Sequence, residues 1–225
     1  MVVDRSGPLV RELRTPRAAA IAGILFSLLL CASVLLIHWA TPRDGDPSDW
    51  VTQDSRRRAV AVAIALVPYA GIAFLWFIGV IRSRLGDLED RFFATAFLGS
   101  GLLFVAMLFT AAAVTGAFLD LSGGTQPVPS ADARLTSAIV GALLGTFGIR
   151  MAAVFTLVVT NLGRRTGIVP SWLVVAGYAT GVVLLFAPPM TVWATLLFPA
   201  WVFALSVNML VLSWRVPAYP PVSPD

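Results

Sequence analysis

The chain has no lysine: all sixteen of its basic residues are arginine. Without a primary-amine side chain there is no Schiff-base site, which excludes retinal and pyridoxal chemistry. A Gly-rich phosphate loop that needs lysine is excluded on the same ground. Cys31 is the only cysteine and His38 the only histidine. One cysteine makes neither an internal disulfide nor a cysteine-based zinc site, and one histidine cannot ligate a haem from both faces. Charge is scarce too, at 12% of residues against about 25% in ordinary soluble domains.

Long apolar runs take the place of charge. Six stand out: Ala18–Ala40, Ala59–Ile81, Phe92–Leu119, Leu135–Leu162, Ile168–Ala187 and Met190–Trp214. A hydrocarbon core about 30 Å thick is crossed by about 20 apolar helical residues, and each run meets that length. The spacing therefore predicts an all-α, polytopic transmembrane bundle of six spans. Residues 1–17 form an N-terminal segment, 18–214 the membrane domain and 215–225 a Pro-rich tail. Arginines precede the first run, but its length exceeds the 7–15 residues of a cleaved signal sequence, so it reads as a retained helix. Pro188-Pro189 splits what would otherwise be a 47-residue apolar run, because proline removes a donor and restricts the residue before it.

Arginine placement orients the bundle. With the N-terminus inside, the cytoplasmic segments carry ten arginines and the outer segments five, a bias that puts both termini in the cytoplasm. The triplet Arg56–Arg58 runs locally against it. Because the arginines flank the spans and do not cluster on one aqueous face, nucleic-acid binding is not expected. In the loops, Asp87-Leu88-Glu89-Asp90 suits the positive start of a helix. Asp44-Gly-Asp46-Pro-Ser48-Asp49 resembles a calcium loop but lacks its sixth-position glycine and twelfth-position glutamate.

Arg150, in the fourth run, is the single charge inside any span. A central charge costs about 2.5–3.5 kcal/mol on insertion scales, so it is expected to face the bundle interior or a wet cavity. No span holds a carboxylate to neutralise it. Its candidate partners are Asn208, Tyr69 and Tyr178, together with carbonyls freed by Pro68 and Pro199. Neutral partners would leave a net positive charge and a candidate anion site; the plainer reading is an arginine that locks helices together or snorkels to the headgroups.

At 100° per residue, Gly141, Gly145, Gly148, Ala152 and Thr156 form a small-residue stripe on the other side of that helix. Small faces let helices approach closely in lipid, so the fourth span is expected at the centre of the bundle. Gly177 and Gly181 form a second such face. Gly23, Ser27, Cys31 and His38 share a face of the first span, either a packing face or a polar pathway.

No catalytic constellation is present. Gly99-Ser100-Gly101 approaches the Gly-x-Ser-Gly of rhomboid proteases, but Leu98 stands where the first glycine belongs and no histidine is at hand to act as base. In layout and composition the chain resembles the small multi-pass membrane proteins of GC-rich bacteria. That resemblance implies the bacterial plasma membrane and carries no site residues. The expectation is a non-catalytic accessory or scaffold protein without cofactor or metal, whose partners are membrane lipids, other membrane subunits or a second copy. The alternative is a small-solute transporter or channel, for anions through Arg150.

Overall fold

The computed structural model describes residues 7–41, 53–85, 91–122, 130–167, 169–186 and 192–215. Pro188-Pro189, Asp44–Asp49, Asp87–Asp90 and the tail beyond Arg215 lie outside these residues. Every regular element among them is helical: α1 (Gly7–Ala40), α2 (Asp54–Leu85), α3 (Arg91–Leu121), α4 (Ser130–Gly141), a π-helical segment (Ala142–Gly148), α5 (Ile149–Thr166), α6 (Ser171–Phe186) and α7 (Val192–Arg215). α3, α6 and α7 are apolar on nearly every side, and such all-round hydrophobicity is what a membrane span shows.

Five stretches are long and apolar enough to cross a membrane: Arg17–Ala40, Asp54–Arg82, Phe93–Leu121, Ala131–Thr166 and Trp193–Trp214. The sixth helix, α6, has 16 residues, about 24 Å by helical rise. The runs Ala18–Ala40, Ala59–Ile81 and Phe92–Leu119 fall within α1, α2 and α3, and Leu135–Leu162 runs from α4 through the π-helical segment into α5; the described parts of the last two runs are covered largely by α6 and α7. Pro68 and Pro199 sit inside α2 and α7 without ending them, as lipid-embedded helices allow.

The helices pair in sequence and then close on themselves: α1 with α2, α2 with α3, α3 with the π segment and α5, α5 with α6, α6 with α7, and α7 with α1. Neighbours run antiparallel. Ser33 of α1 donates to the Ala63 carbonyl of α2 at 3.0 Å, while Phe26 meets Phe74 at a tilt nearer the other end, 4.4 Å between centroids. At the α7–α1 closure Arg17 reaches the Ser213 carbonyl and Phe26 meets Phe198. The fourth stretch is thus one stave of the ring; the expectation that it forms the hub is not met.

Phenylalanines occupy the hub. Phe26, Phe74, Phe104, Phe155 and Phe198 come from five helices, and their ring centroids lie 4.4–6.4 Å apart wherever they touch. Most of these contacts are edge-to-face or tilted, the arrangement that ring quadrupoles favour. Phe97 and Phe77 extend the cluster by stacking on Phe155 and Phe74.

The fourth stretch departs from the regular helix expected of it. Across Ala142–Gly148 the backbone adopts i→i+5 bonding, and the Ile149 amide donates to the Leu144 carbonyl. Gly145 and Gly148 are the buried residues of this segment. A Cβ on Gly148 would lie 3.0 Å from the Leu143 carbonyl oxygen and 3.7 Å from the Met107 Cβ of α3. Glycine lets the widened turn press against α3. Each π residue turns through less than 100°, so the stripe projected from a uniform α-helix does not run straight: Gly141 is half-buried, whereas Ala152 and Thr156 face the core.

Candidate functional site

Arg150 begins its chemistry with its own backbone. When a helix returns from i→i+5 to i→i+4 bonding, one carbonyl is passed over and needs another donor. Leu144 O takes the Ile149 amide. The next carbonyl, Gly145 O, receives Arg150 Nη1 at 2.7 Å, and Thr146 O receives the same nitrogen at 3.2 Å. Half-buried, the guanidinium closes the gap that the π segment opens. These two contacts tie its charge to carbonyl dipoles.

The other three residues expected around Arg150 do not gather there. Tyr69 lies on the outward side of α2, 65% exposed. Tyr178 of α6 donates to Asn161 Oδ1 at 3.4 Å and lies under the Arg164 guanidinium, 6.0 Å from its ring centroid. Asn161 is eleven residues beyond Arg150 on the same helix, about 16 Å along the axis. Asn208 of α7 carries a buried amide nitrogen without a partner among the described residues. Phe155 and Phe198 touch, so α5 and α7 are level there. Arg150 and Asn208 lie on opposite sides of that level, separated by about 20 Å of helical rise.

Gly177 and Gly181 sit at the α5–α6 contact. A Cβ on Gly177 would overlap Thr160 Oγ1 and stand 2.8 Å from Trp201 Nε1; one on Gly181 would stand 2.5 Å from Leu157 Cδ2. Thr160 and Trp201 are 3% and 5% exposed, and their polar atoms have no hydrogen-bond partner among the described residues. Sequence reasoning places Trp201 on a face of the last span with Asn208 and does not single out Thr160. The available signal is the antiparallel hairpin itself, in which α5 and α6 positions summing to about 338 face one another.

Several other hydroxyls serve their own helices, whereas that of Ser206, fully buried in α7, has no hydrogen-bond partner among the described residues. Ser27 donates to Gly23 O, Ser100 to Ala96 O and Thr156 to Ala152 O, the back-bonding that satisfies a hydroxyl four residues on. The polar face of the first span therefore offers little to a solute. On the other side of the phenylalanine cluster lies an apolar cleft of about 60 Å³, bounded by residues such as Leu30, Val34, Leu108, Leu144 and Ala194. Among the described residues no group of His, Cys, Asp and Glu is arranged to hold a metal ion.

Tryptophans mark the two ends. Trp39 and Trp193 are exposed at one end, Trp172 and Trp214 at the other. Trp193 and Trp214 are 21 residues apart on α7, about 32 Å by helical rise, which matches the hydrocarbon thickness between aromatic belts. At the Trp214 end, Arg17 stacks on Trp214 and Arg165 on Phe93, with 5.7 and 4.9 Å to the ring centroids.

These features define a class: an all-helical protein with apolar helices fit for a multi-pass place in a membrane. Compared with known proteins, the chain matches no family model, no curated protein and no solved structure.

Proposed function

We propose that this chain is a non-catalytic, six-span protein of a bacterial plasma membrane, with both termini in the cytoplasm. It acts as an accessory or scaffold subunit that holds lipids or partner membrane proteins through its helix faces. The observation that carries this reading is the closed interior: phenylalanines from five helices fill the ring. A solute pathway needs polar groups that converge along an opening, whereas here Arg150 is bonded to its own helix and Tyr69, Tyr178 and Asn208 are dispersed. The orientation rests on the positive-inside bias, with Arg17, Arg164 and Arg165 against aromatic rings at the cytoplasmic end.

Two measurements on the purified protein test it. Native mass spectrometry should retain bound lipids or a companion chain, and vesicles containing the protein should release small anions no faster than protein-free vesicles. Anion flux that disappears in Arg150→Ala would overturn the scaffold reading in favour of transport.

A further inference from the structure

The outward side of α2 carries an exposed phenol and, one turn before it, a carbonyl that a proline deprives of its helical amide. Tyr69 is exposed, and its hydroxyl has no partner among the described residues. It stands twelve residues from Arg57 and thirteen from Arg82, about 18 and 20 Å along the helix. That places it near mid-depth, where tyrosine's usual headgroup partners are out of reach. One residue earlier is Pro68, inside the helix and also exposed. Lacking an N–H, Pro68 leaves the Ile64 carbonyl without its i+4 amide. The carbonyl of residue 64 points along the axis towards position 68, about 100° round the helix from Tyr69, so this acceptor and the phenol flank the exposed strip of α2. In hydrocarbon each unmet polar group costs several kcal/mol.

We propose that this face of α2 meets the same face of a second copy across a two-fold axis along the membrane normal. Each Tyr69 hydroxyl donates to the Ile64 carbonyl of the other copy. Two copies inserted in the same orientation bring their α2 helices together in parallel, so equal residues lie at equal depth. Helical side chains lean towards the N-terminus, which carries the Tyr69 hydroxyl back to the turn where Ile64 O emerges. An isologous contact satisfies both groups twice over; an unrelated helix would need its own donor and acceptor at matching heights.

The seam between the copies follows from the exposed positions Val62, Ala65, Tyr69, Ile72, Trp76 and Gly79. They are spaced by three and four alternately, the repeat of parallel left-handed helix pairs. Ala65 and Gly79 are small, and the Cβ position of Gly79 is open, so the backbones can close on each other.

The inference rests on the membrane placement proposed above, and the experiment separates the two. Membranes are prepared with a Cys31→Ser background carrying Ala65→Cys, Ile72→Cys or Gly79→Cys, with Ile21→Cys on the exposed side of α1 as comparison. Mild oxidation should give disulfide dimers from the α2 positions and at most traces from Ile21→Cys. Energy transfer between labelled copies in vesicles should show Tyr69→Phe weakening self-association about eightfold, two interhelical hydrogen bonds at the average strength measured in bilayers. Absent or indiscriminate cross-linking in protein retained by the membrane, or unaltered association of Tyr69→Phe, overturns the interface alone. Extraction of the wild-type chain by alkaline carbonate overturns the membrane placement, and the interface with it.

Discussion

Arg57 Nη2 donates to the Leu119 carbonyl at 2.8 Å, and its Nη1 to that of Ser122 at 3.1 Å. The start of α2 is thereby fastened to the end of α3, whose last carbonyls have no helical donors of their own. A cation at a helix C-terminus is also favoured by the macrodipole. The arginine triplet that runs against the orienting charge bias thus contains one residue with a packing task.

Replacing Arg57 should therefore cost far more than replacing its neighbours. Charge-assisted hydrogen bonds contribute about 1.5–3 kcal/mol, and the partly buried site keeps much of that. Arg57→Ala should lower unfolding stability in detergent by about 2 kcal/mol, with Arg56→Ala and Arg58→Ala within about 0.5 kcal/mol of wild type. Equal losses at all three positions in an unfolding titration would remove Arg57's special role.

Gly177 and Gly99 make opposite predictions for the same substitution. Gly177→Ala drives a methyl group into Thr160 Oγ1 and against Trp201 Nε1, while Gly99→Ala meets nothing within 4 Å. Overpacking costs about 1–3 kcal/mol, whereas alanine at an unobstructed helix position gains up to about 1 kcal/mol in propensity. Thermal unfolding should thus fall for Gly177→Ala and hold or rise for Gly99→Ala. A matched response would mean that α5 and α6 are not in close contact at Gly177.

Phe74 touches Phe26, Phe77, Phe104, Phe155 and Phe198, more rings than any other member of the cluster meets. In water Phe→Ala costs about 3–5 kcal/mol. Lipid is as apolar as the core, so the transfer part of that cost drops out and packing remains. With about 24 cal/mol per Å³ of residual cavity, a void of about 100 Å³ predicts about 2 kcal/mol for Phe74→Ala. Phe74→Leu should cost less than half as much. Unfolding measurements that find Phe74→Ala neutral would show the ring to be held elsewhere.

The spans could be read from the sequence because apolar length is a local property, and α1, α2 and α3 contain the runs that announced them. Faces were harder. The glycine stripe assumed one rotation per residue, and the π segment changes that rotation at Ala142. Partners were harder still, since composition places Arg150, Tyr69, Tyr178 and Asn208 in spans without giving their depths. Hairpin arithmetic supplies some of the depth: Thr160 with Gly177, and Leu157 with Gly181, fix the register that brings Tyr178 to Asn161. Arg57's reach to the end of α3 had no such signal, because it depends on how two helix ends meet in space.

Arg150 offers the last test, since its two roles differ in what they demand of the side chain. If the guanidinium serves chiefly to donate to Gly145 O and Thr146 O, then Arg150→Gln keeps a donor within the same turn and removes the charge. Arg150→Leu removes both. A polar group left without its partner costs about 1–3 kcal/mol, so Arg150→Leu should be destabilised by about 2 kcal/mol. Arg150→Gln should recover at least half of that, helped by the smaller cost of placing a neutral side chain in lipid. An anion-recognising arginine makes the reverse demand: glutamine would be as inactive as leucine in any flux or ligand measurement, whatever its stability. Thermal unfolding beside anion release from vesicles, for the same two variants, decides between a π-turn donor and a solute ligand.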